Sequence, residues 1–351
     1  MKVVSVVGAR PQFVKAAPLS RAIRARHHEV LVHTGQHYDD NMSAVFFREL
    51  GIPDPEHHLG VGSGTHGAQT GRMLEAIERV LLIERPDWLL IYGDTNSTVA
   101  GALAAAKLHL PVAHVEAGLR SFNRTMPEEV NRVVADHLST LLLCPGGVAR
   151  DNLAREGIVR GVEVVGDVMA DALAAAVGRA ACGSEALARF GLQAGAYALA
   201  TVHRAENTDD PERLRAILGA LGSVGRPVLM PLHPRTRKAI AALGITLPGP
   251  VRAIEPLGYL DLVRVASSAA VILTDSGGLQ KEAYWLKVPC VTLREETEWV
   301  ETVESGWNVL AGAVPSRIVA AASAQRPPAW TPLYGDGDAA TQILEAMERA
   351  C

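Results

Sequence analysis

Aromatic side chains and net charge are both scarce in this chain. Phe, Trp and Tyr make up 5% of the 351 residues, too few to suggest the stacking platform on which single-stranded nucleic acids bind. The formal net charge is −4, from 34 Lys and Arg against 38 Asp and Glu. This balance argues against a broad nucleic-acid surface and against an anionic membrane as partner, although a local basic site is still allowed.

Cysteine is scarce as well, and none of the 4 cysteines lies in a CxxC pair. This excludes a zinc ribbon and a thioredoxin-type motif, and Cys144 and Cys290, inside apolar runs, are expected to be core residues. There is no HExxH motif, no P-loop, and no GxSxG motif around Ser276. The histidine pairs 27–28 and 57–58 lack metal-ligand spacing and are interpreted as solvated loops. We therefore expect no metal ion.

Long apolar runs are absent too. None approaches the roughly 18 residues that a membrane span needs, and the opening MKVVSVVGARP has an apolar run shorter than a signal-peptide core. The expected location is the cytoplasm. Hydrophobic residues nevertheless make up 48% of the chain, so it can bury a large core, and its length predicts two domains at roughly 100–200 residues each.

Short apolar runs alternate with longer helix-like stretches along the chain. This alternation is typical of parallel βαβ units whose sheets are buried on both faces. The pattern stops near residue 145 and restarts, which predicts an α/β fold of two doubly wound halves joined near residues 166–170, with a last helix at 339–350. The predicted strands are 3–8, 30–35, 88–94, 111–118, 140–145, 162–167, 197–204, 227–234, 270–278 and 288–294.

Polar residues that follow the strands of the first half are candidates for a site, because open parallel sheets bind ligands beyond the carboxyl ends of their strands. Arg10 and Lys15 follow the first strand at a helix start, where an anion would be held; a solvated surface pair is the alternative. Asp94, Glu116 and Glu128 follow later strands. Asp94 alone would be a helix cap, but carboxylates from consecutive strands favour proton-transfer chemistry.

The segment DSGGLQKEA at 275–283 is the most informative part of the second half. It runs from a predicted strand through Ser276 and the pair Gly277–Gly278 into a helix. Backbone N–H groups and a hydroxyl in that arrangement can hold a phosphate. Glu282, further along the helix, is placed to accept hydrogen bonds from a ribose diol.

Two weaker signals complete the survey. His203 and His233 each follow a predicted strand of the second half, and a pair of imidazoles at strand ends is as consistent with a site as with structural roles. The segment GSGTHG at 62–67 matches GxGxxG, but no convincing buried strand precedes it. We therefore expect no dinucleotide site and no cofactor.

A wider resemblance is carried by segments that occur together and in order along nearly the whole chain. They are GARPQFVKAAPL, YGDTNST, HVEAGLRS, MPEEVNR, TVHRAEN, DSGGLQKEA and the terminal YGDG. Each alone is a weak match, but the combination is specific. Together they resemble the non-hydrolysing UDP-N-acetylglucosamine 2-epimerase family.

This resemblance implies a glycosyltransferase-B-like fold, in which two Rossmann-like parallel-sheet domains face each other across a cleft and the C-terminal helix returns to the first domain. The implied domains are 1–167 plus 335–351, which carries the catalytic carboxylates, and 168–334, which binds UDP. The resemblance also implies a homodimer and a role in surface-polysaccharide synthesis.

The implied reaction is reversible carbon-2 epimerisation of UDP-N-acetylglucosamine to UDP-N-acetylmannosamine. The hydrogen on carbon 2 has no adjacent carbonyl, so simple deprotonation and reprotonation is implausible. Without a nicotinamide site the remaining route is elimination of UDP to a glycal, followed by its re-addition, which requires acid–base groups near carbon 2 and retention of UDP.

Roles carry over from the family position by position, although which carboxylate removes the proton is left open. The positions that match catalytic residues are Asp94, Glu116, Glu128 and His203. The positions that match substrate or UDP contacts are Arg10, Lys15, Ser276, Gly277, Gly278 and Glu282.

Some positions depart from the family pattern. The opening is GARPQFVK where GTRPEAIK is more usual. Gln36, Arg72 and His233 match a second, activating UDP-N-acetylglucosamine site, but Asp39 stands where an amide is usual. A carboxylate beside a diphosphate disfavours binding, which counts against allosteric activation. The same variation occurs in relatives that act on UDP-2,3-diacetamido-glucuronic acid, so the reaction is predicted more firmly than the sugar.

The sequence leaves other functions open. A hydrolysing homologue would release free N-acetylmannosamine and UDP. A glycosyltransferase-B-like transferase would need an acceptor, and a non-catalytic protein would only bind the nucleotide sugar. Asp94, Glu116 and Glu128 together argue against the last two, because UDP binding alone does not require three carboxylates.

Overall fold

Parallel β-sheets form the core of both halves of the chain in the computed structural model, which describes residues 1–36, 51–335 and 337–351. The described residues form two units, Met1–Ala174 with Tyr334–Cys351 and Ala175–Leu333. Each unit contains one parallel sheet and its helices, so the predicted α/β class with two parallel-sheet halves is confirmed. The predicted domain boundaries themselves remain an interpretation of the sequence.

The sheet of the first unit has the strand order β3-β2-β1-β4-β5-β6-β7 among the described residues. Its strands are β1 (Lys2–Val7), β2 (His28–His33), β3 (His57–His58), β4 (Trp88–Tyr92), β5 (Val112–Val115), β6 (Leu141–Cys144) and β7 (Val162–Val164). The central strands are buried throughout because helices cover a parallel sheet on both faces. The order reverses between β1 and β4, the point at which such sheets bind ligands.

The helices of the first unit connect these strands. They are α1 (Arg10–Arg26), α2 (His66–Glu84), α3 (Asn96–Lys107), α4 (Pro127–Leu138), α5 (Gly147–Arg155) and α6 (Val168–Gly183), the last of which crosses the unit boundary. Small residues let α3 lie close to the sheet: a Cβ at Gly101 would be 3.1 Å from Ile91 Cγ2. In the described part of the chain, no helix is both long enough and apolar enough to span a membrane.

The second unit repeats the strand order as β10-β9-β8-β11-β12-β13. Its strands are β8 (Ala198–Thr201), β9 (Val228–Pro231), β10 (Val251–Ile254), β11 (Val271–Thr274), β12 (Cys290–Thr292) and β13 (Asn308–Leu310). Its helices are α7 (Ala186–Arg189), α8 (Ala205–Thr208), α9 (Pro211–Leu221), α10 (Pro234–Ala242), α11 (Tyr259–Ser267), α12 (Gly277–Trp285), α13 (Val300–Glu304) and α14 (Pro315–Ala322). Here the order reverses between β8 and β11.

The final helix, α15 (Ala339–Arg349), returns to the first unit as predicted. It packs against α1, and Glu348 Oε1 lies 2.6 Å from His27 Nε2. The carboxylate of Asp171 on α6 accepts hydrogen bonds from the backbone N–H groups of Ala339 (3.2 Å) and Ala340 (3.0 Å). A residue distant in sequence thus supplies the N-terminal cap of α15.

The sequence pattern does not predict β10 and β13, which are the two edge strands of the second sheet. Edge strands are half exposed and carry polar residues, so they lack the continuous apolar run used to find the others. The interpretation of residues 57–58 as a solvated loop is wrong, because they form β3 against β2. It is also wrong for residues 27–28: His27 bonds Glu348, and His28 begins β2. Cys144 and Cys290 are buried, as expected.

Candidate functional site

The loop after β1 is closely packed against the segment that follows β2 and against the start of α3. A Cβ at Gly8 would lie 2.1 Å from Thr34 Oγ1, so only glycine fits. The buried side chain of Gln12 accepts a hydrogen bond from the Gly8 N–H (2.8 Å) and donates one to the Tyr92 carbonyl (2.8 Å). These bonds fix the start of α1 beside the end of β4. Arg10 is the first residue of α1, and its side chain lies outside the described structure.

Lys15 on α1 forms an ion pair with Glu116, the residue that follows β5. The two side chains are only 11% and 12% exposed. Gly93 leaves room for the pair, because a Cβ there would lie 3.2 Å from Lys15 Nζ and 3.3 Å from Glu116 Oε2. Burial alone would lower the pKa of Lys15, but the charges of Glu116 and Asp94 outweigh it and raise that pKa. Lys15 is therefore an ammonium ion held among carboxylates.

Asp94, directly after β4, is held by α4. Arg132 donates to Asp94 Oδ2 from Nη2 (2.6 Å) and Nε (3.0 Å), and Asn131 Nδ2 donates to the Asp94 carbonyl (2.9 Å). The carboxylate is still 31% exposed. Thr95 rather than Asp94 is the N-cap residue of α3. The Asp94 carboxyl group is thus fixed in place and open to solvent.

Two glutamates in the first turn of α4 have different surroundings. Glu129 is buried and accepts hydrogen bonds from the N–H groups of Ser121 (2.8 Å) and Phe122 (3.0 Å) and from Arg132 Nη1 (3.0 Å). Burial alone would raise the pKa of Glu129, but these bonds outweigh it and lower the pKa. Glu128 is exposed. Glu129 therefore anchors the preceding loop and Arg132, while Glu128 faces solvent.

In the second unit, the buried Asp275 orients His203. The carboxylate follows β11 and accepts hydrogen bonds from the backbone N–H groups of His203 (2.9 Å) and Arg204 (2.9 Å), and lies 3.0 Å from His203 Nδ1. Burial alone would raise the pKa of Asp275, but the bonds and charge of His203 outweigh it and lower the pKa. An ionised carboxylate only accepts, so Nδ1 carries a proton and Nε2 is left for a ligand.

His233 lies beside His203, with 5.4 Å between the ring centroids. It is the N-cap residue of α10, and its Nδ1 accepts from the Arg235 N–H at 3.2 Å. Partial burial and then the charges of His203 and Arg235 lower the pKa of His233. A neutral imidazole is therefore expected at His233, so this residue adds no positive charge at the carboxyl end of β9.

The DSGG segment forms a strand-to-helix turn, as predicted. Ser276 is the N-cap residue of α12, and its Oγ accepts from the Leu279 N–H at 3.4 Å. A Cβ at Gly278 would meet only Ser276 Oγ, at 4.0 Å, so this side of the helix end is open. Trp299 Nε1 donates to the Gly277 carbonyl at 3.0 Å. An open helix N-terminus suits an anion such as a phosphate.

A cavity of about 620 Å³ lies at the carboxyl ends of β9 and β10. Leu232, Phe190 and residues 254–258 line it, with the ion pairs Arg237–Glu255 and Arg189–Asp261 among its lining residues. A lining that combines apolar and charged residues suits a small planar ring with polar edges. In the described residues, no group of His, Cys, Asp and Glu is arranged to hold a metal ion.

A family model described as UDP-N-acetylglucosamine 2-epimerase matches residues 21–348 of this chain. The chain belongs to that epimerase family. The expected UDP-N-acetylglucosamine 2-epimerase family, a family of enzymes, is therefore confirmed, together with the two Rossmann-like parallel sheets. The non-hydrolysing subtype stays a prediction.

Relatives of this epimerase match it from end to end. A UDP-N-acetylglucosamine 2-epimerase homolog from Methanococcus maripaludis is 50% identical, over 99% of each chain. A UDP-2,3-diacetamido-2,3-dideoxy-D-glucuronate 2-epimerase from Pseudomonas aeruginosa is 49% identical, over 99% of this chain and 100% of the relative. The crystal structure of Methanocaldococcus jannaschii UDP-GlcNAc 2-epimerase with UDP-GlcNAc and UDP has a TM-score of 0.87 at 42% identity, and covers 99% of this chain and 100% of that one.

In the described part of the chain, the residues predicted from the sequence fall into two groups. Lys15, Asp94 and Glu116 come together at the reversal point of the first sheet. His203 and Ser276 follow adjacent strands at the reversal point of the second. Glu128 lies at the start of α4, and Glu282 is partly buried along α12. Their catalytic and binding roles stay predictions.

The residues predicted for an activating site show separate local contacts. Gln36 Oε1 accepts from Ser97 Oγ at 2.8 Å, and the exposed Arg72 donates to the Ser63 carbonyl at 3.3 Å. His233 is in the second unit beside His203. Asp39 lies outside the described residues. Allosteric activation stays untested.

Several residues that hold the candidate site residues in place were not predicted from the sequence. Arg132 fixes Asp94, Gln12 fixes the loop after β1, and Asp275 orients His203. Asp275 immediately precedes the predicted Ser276, so a polar residue at a strand end was already visible. Gln12 offered no signal, because a glutamine inside a helix is normally exposed.

Proposed function

We propose that this epimerase catalyses reversible inversion at carbon 2 of a UDP-linked 2-acetamido sugar, with UDP-N-acetylglucosamine and UDP-N-acetylmannosamine as its substrate pair. The observation that carries the proposal is the pair of cation-bound carboxylates, Lys15–Glu116 and Arg132–Asp94, at the ends of the adjacent strands β4 and β5. Proton transfer at carbon needs such groups, whereas binding of a nucleotide sugar does not.

The first half-reaction removes the proton from carbon 2. The electron pair of the C–H bond becomes the C1=C2 double bond. The C1–O bond to UDP breaks, and UDP leaves as the anion with the electron pair of that C1–O bond. We assign the base to Asp94, because Arg132 holds its carboxylate in place while 31% of the side chain stays exposed. Glu116 is bound to the Lys15 ammonium, which stabilises negative charge beside the reacting carbons.

The second half-reaction returns a proton to the opposite face of carbon 2. UDP then adds back to carbon 1 and re-forms the C1–O bond. Asp94 afterwards releases to solvent the proton that it took, and the acid on the opposite face takes one up, so that each group returns to its starting charge. A different acid is needed on that face, and the exposed Glu128 at the start of α4 is our candidate.

The second unit is proposed to retain UDP between the first half-reaction and the second. The open N-terminus of α12 would hold the diphosphate. Asp275 binds Nδ1 of His203, so Nε2 of the same ring would be the atom that contacts the departing phosphate oxygen. The cavity beside Leu232 would take the uracil ring.

Proton NMR of UDP-N-acetylglucosamine with the enzyme in heavy water tests the proposal. We expect deuterium at carbon 2 and a UDP-linked manno product, without added metal or nicotinamide. Free N-acetylmannosamine with UDP would instead identify a hydrolysing epimerase. An absence of exchange with this sugar would refute it as substrate.

A second candidate substrate is UDP-2,3-diacetamido-glucuronic acid. It is favoured by the Pseudomonas aeruginosa relative, which is named for that sugar and is 49% identical over 99% of this chain. The same experiment with both sugars in one tube decides between them. The sugar that exchanges faster at equal concentration has the larger kcat/KM.

The assembly is proposed to be a homodimer that works in the cytoplasm on precursors of surface polysaccharide. Leu82 and Ile83 on α2 are 57% and 72% exposed, and an apolar pair of this kind suits a subunit contact. Light scattering on the eluting protein measures the mass directly. A mass near 37.3 kDa, that of one chain, would contradict the dimer.

A further inference from the structure

His114 is a fully buried histidine whose two ring nitrogens both face hydrogen-bond acceptors. It lies on β5, two residues before Glu116. Its Nε2 is 2.8 Å from the carbonyl of Gly93, and its Nδ1 is 2.7 Å from Asp136 Oδ1 on α4. A carbonyl oxygen only accepts, so Nε2 must carry a proton.

The carboxylate of Asp136 is held as an anion. Its Oδ2 accepts from Arg120 Nη1 (2.6 Å) and from the Gly118 N–H (3.1 Å). Burial alone would raise the pKa of Asp136, but His114 and then Arg120 outweigh it and lower the pKa. Because an ionised carboxylate cannot donate, Nδ1 of His114 must carry a proton as well.

We infer that His114 is a buried imidazolium and that it positions the turn from Gly93 to Asp94. The Gly93 N–H donates to the Val115 carbonyl (3.0 Å), and the Gly93 carbonyl accepts from His114. Both peptide groups of Gly93 are therefore tied to β5, at a residue whose φ is +60°. The next residue is Asp94, so the conformation of this turn sets the position of the Asp94 backbone and therefore of the proposed base.

The surroundings of His114 compensate its charge. Asp136 faces it from α4, and Arg120 bridges Asp136 to Glu156 at the end of α5 (2.7 Å). On the neighbouring strand β6, burial raises the pKa of the Cys144 thiol to about 12, so this group stays neutral. Two cations thus face two carboxylates, which is the condition under which a buried ion pair is tolerated.

The charge state of His114 can be measured on the unmodified enzyme. In protein labelled with ¹⁵N at histidine, we expect both ring nitrogens of His114 to give the signals of protonated nitrogens, because each faces a hydrogen-bond acceptor. The control is His114→Phe, in which these two signals should be missing. A His114 ring with one unprotonated nitrogen would overturn the inference, whatever the reaction is.

The positioning role, which rests on the proposed function, is tested by two substitutions. His114→Phe removes both donors, and we expect kcat to fall about 10²-fold with KM changed less than about threefold. His114→Gln places an amide N–H near the Gly93 carbonyl and should recover part of kcat. A raised KM at unchanged kcat, or an equal loss in both variants, would contradict positioning.

The backbone amide signals of Gly93 and Asp94 provide a readout that needs no substrate. We expect them to shift in His114→Phe and to return towards their original positions in His114→Gln. Unmoved signals would overturn the positioning role even in an enzyme that turns over. Conversely, shifted signals in a protein that epimerises neither sugar would leave His114 as a positioning residue and refute the proposed function alone. If neither variant folds, the ring-nitrogen measurement on the unmodified enzyme still decides the charge.

Discussion

Arg132 binds Asp94 through two nitrogens, and Lys15 binds Glu116. The carboxylates that follow β4 and β5 are therefore each paired with a cation. A neighbouring cation favours the charged form of a carboxylate, which is the form that acts as a base. Both carboxylates are paired, and they differ in their exposure to solvent. Asp94 is 31% exposed and Glu116 only 12%. The residue-level prediction is therefore that Asp94 exchanges the proton.

Replacing Asp94 with asparagine keeps the size of the side chain and removes its ability to accept a proton. We expect the variant to lose about 10²–10⁴-fold in the rate of exchange at carbon 2. It should still bind UDP, measured by calorimetry. Glu75→Gln, which removes an exposed carboxylate paired with Arg79 on α2, is the matched control and should keep full activity. Lost UDP binding in a folded D94N would count against the assignment.

A methyl group at Gly93 should disturb the Lys15–Glu116 pair. Gly93→Ala places a Cβ 3.2 Å from Lys15 Nζ at a φ of +60°. We expect a loss of about 1–2 kcal/mol in unfolding free energy, from the left-handed backbone, together with a drop in turnover. Gly157→Ala is the control, because φ there is +81° and nothing lies within 4 Å. Equal activity in the two variants would show that the pair is not disturbed.

At the scale of elements, α4 organises the end of β4. Asn131 holds the Asp94 carbonyl, Arg132 holds its carboxylate, and Asp136 holds His114, which in turn holds Gly93. Asn131, Arg132 and Asp136 lie on successive turns of α4. A shift of α4 would therefore move backbone and side chain of the proposed base together.

The pH dependence of stability should reveal the Asp136 contacts on α4. The folded-state pKa of Asp136 lies below its ordinary value of 3.8, so its contribution is present above that pH and is lost as pH falls through the folded-state value. We expect Asp136→Asn to lower the unfolding free energy by about 3 kcal/mol at pH 7.

Urea unfolding at a series of pH values measures this effect. The gap between Asp136→Asn and the parent enzyme should begin to shrink below pH 3.8, where the carboxylate gains a proton in the unfolded state, and should close as pH falls through the lower folded-state pKa. Asp151→Asn, which breaks an exposed pair with Arg150, is the control and should change stability by less than about 0.5 kcal/mol. A gap that is constant with pH would mean that the Asp136 charge is not responsible.

At the scale of the whole chain, the last helix completes the first unit rather than the second, which precedes it in sequence. Its apolar face, including Ile343 and Met347, is fully buried. Asp171 caps its first turn, and Glu348 bonds His27 near its end. The C-terminal residues therefore contribute to the stability of the unit that contains Asp94 and Glu116.

Ile343→Ala should destabilise the first unit by about 3 kcal/mol, because it opens a cavity in a packed interface. Hydrogen exchange followed by mass spectrometry should show faster exchange in α1 and β1. Protection of β8 and β11 should be unchanged, since they belong to the other unit. Gln342→Ala, at an exposed position on α15, is the control. Faster exchange throughout the chain would contradict this local effect.

Much of the fold was predictable because its signals are local. An apolar run followed by a glycine and a helix-like stretch marks a βα unit whatever lies elsewhere, and every strand predicted in this way is present, with its ends shifted by a few residues. The two-residue strand β3 and the edge strands β10 and β13 escaped, because a short or half-exposed strand lacks the continuous apolar run. The strand-end residues Asp94, Glu116, His203 and Ser276 were found for the same local reason.

By itself, the sequence determined the order of strands and helices, the positions at which polar residues follow the strands, and the resemblance to an epimerase family. Only the tertiary structure decided which of these residues meet. Lys15 and Glu116 are 101 residues apart in sequence, and His203 and Asp275 are 72 apart. No local propensity encodes such a pairing, because it depends on which strands lie side by side in the sheet. The scarcity of net charge therefore says little about the candidate site, where cations and carboxylates form ion pairs with each other.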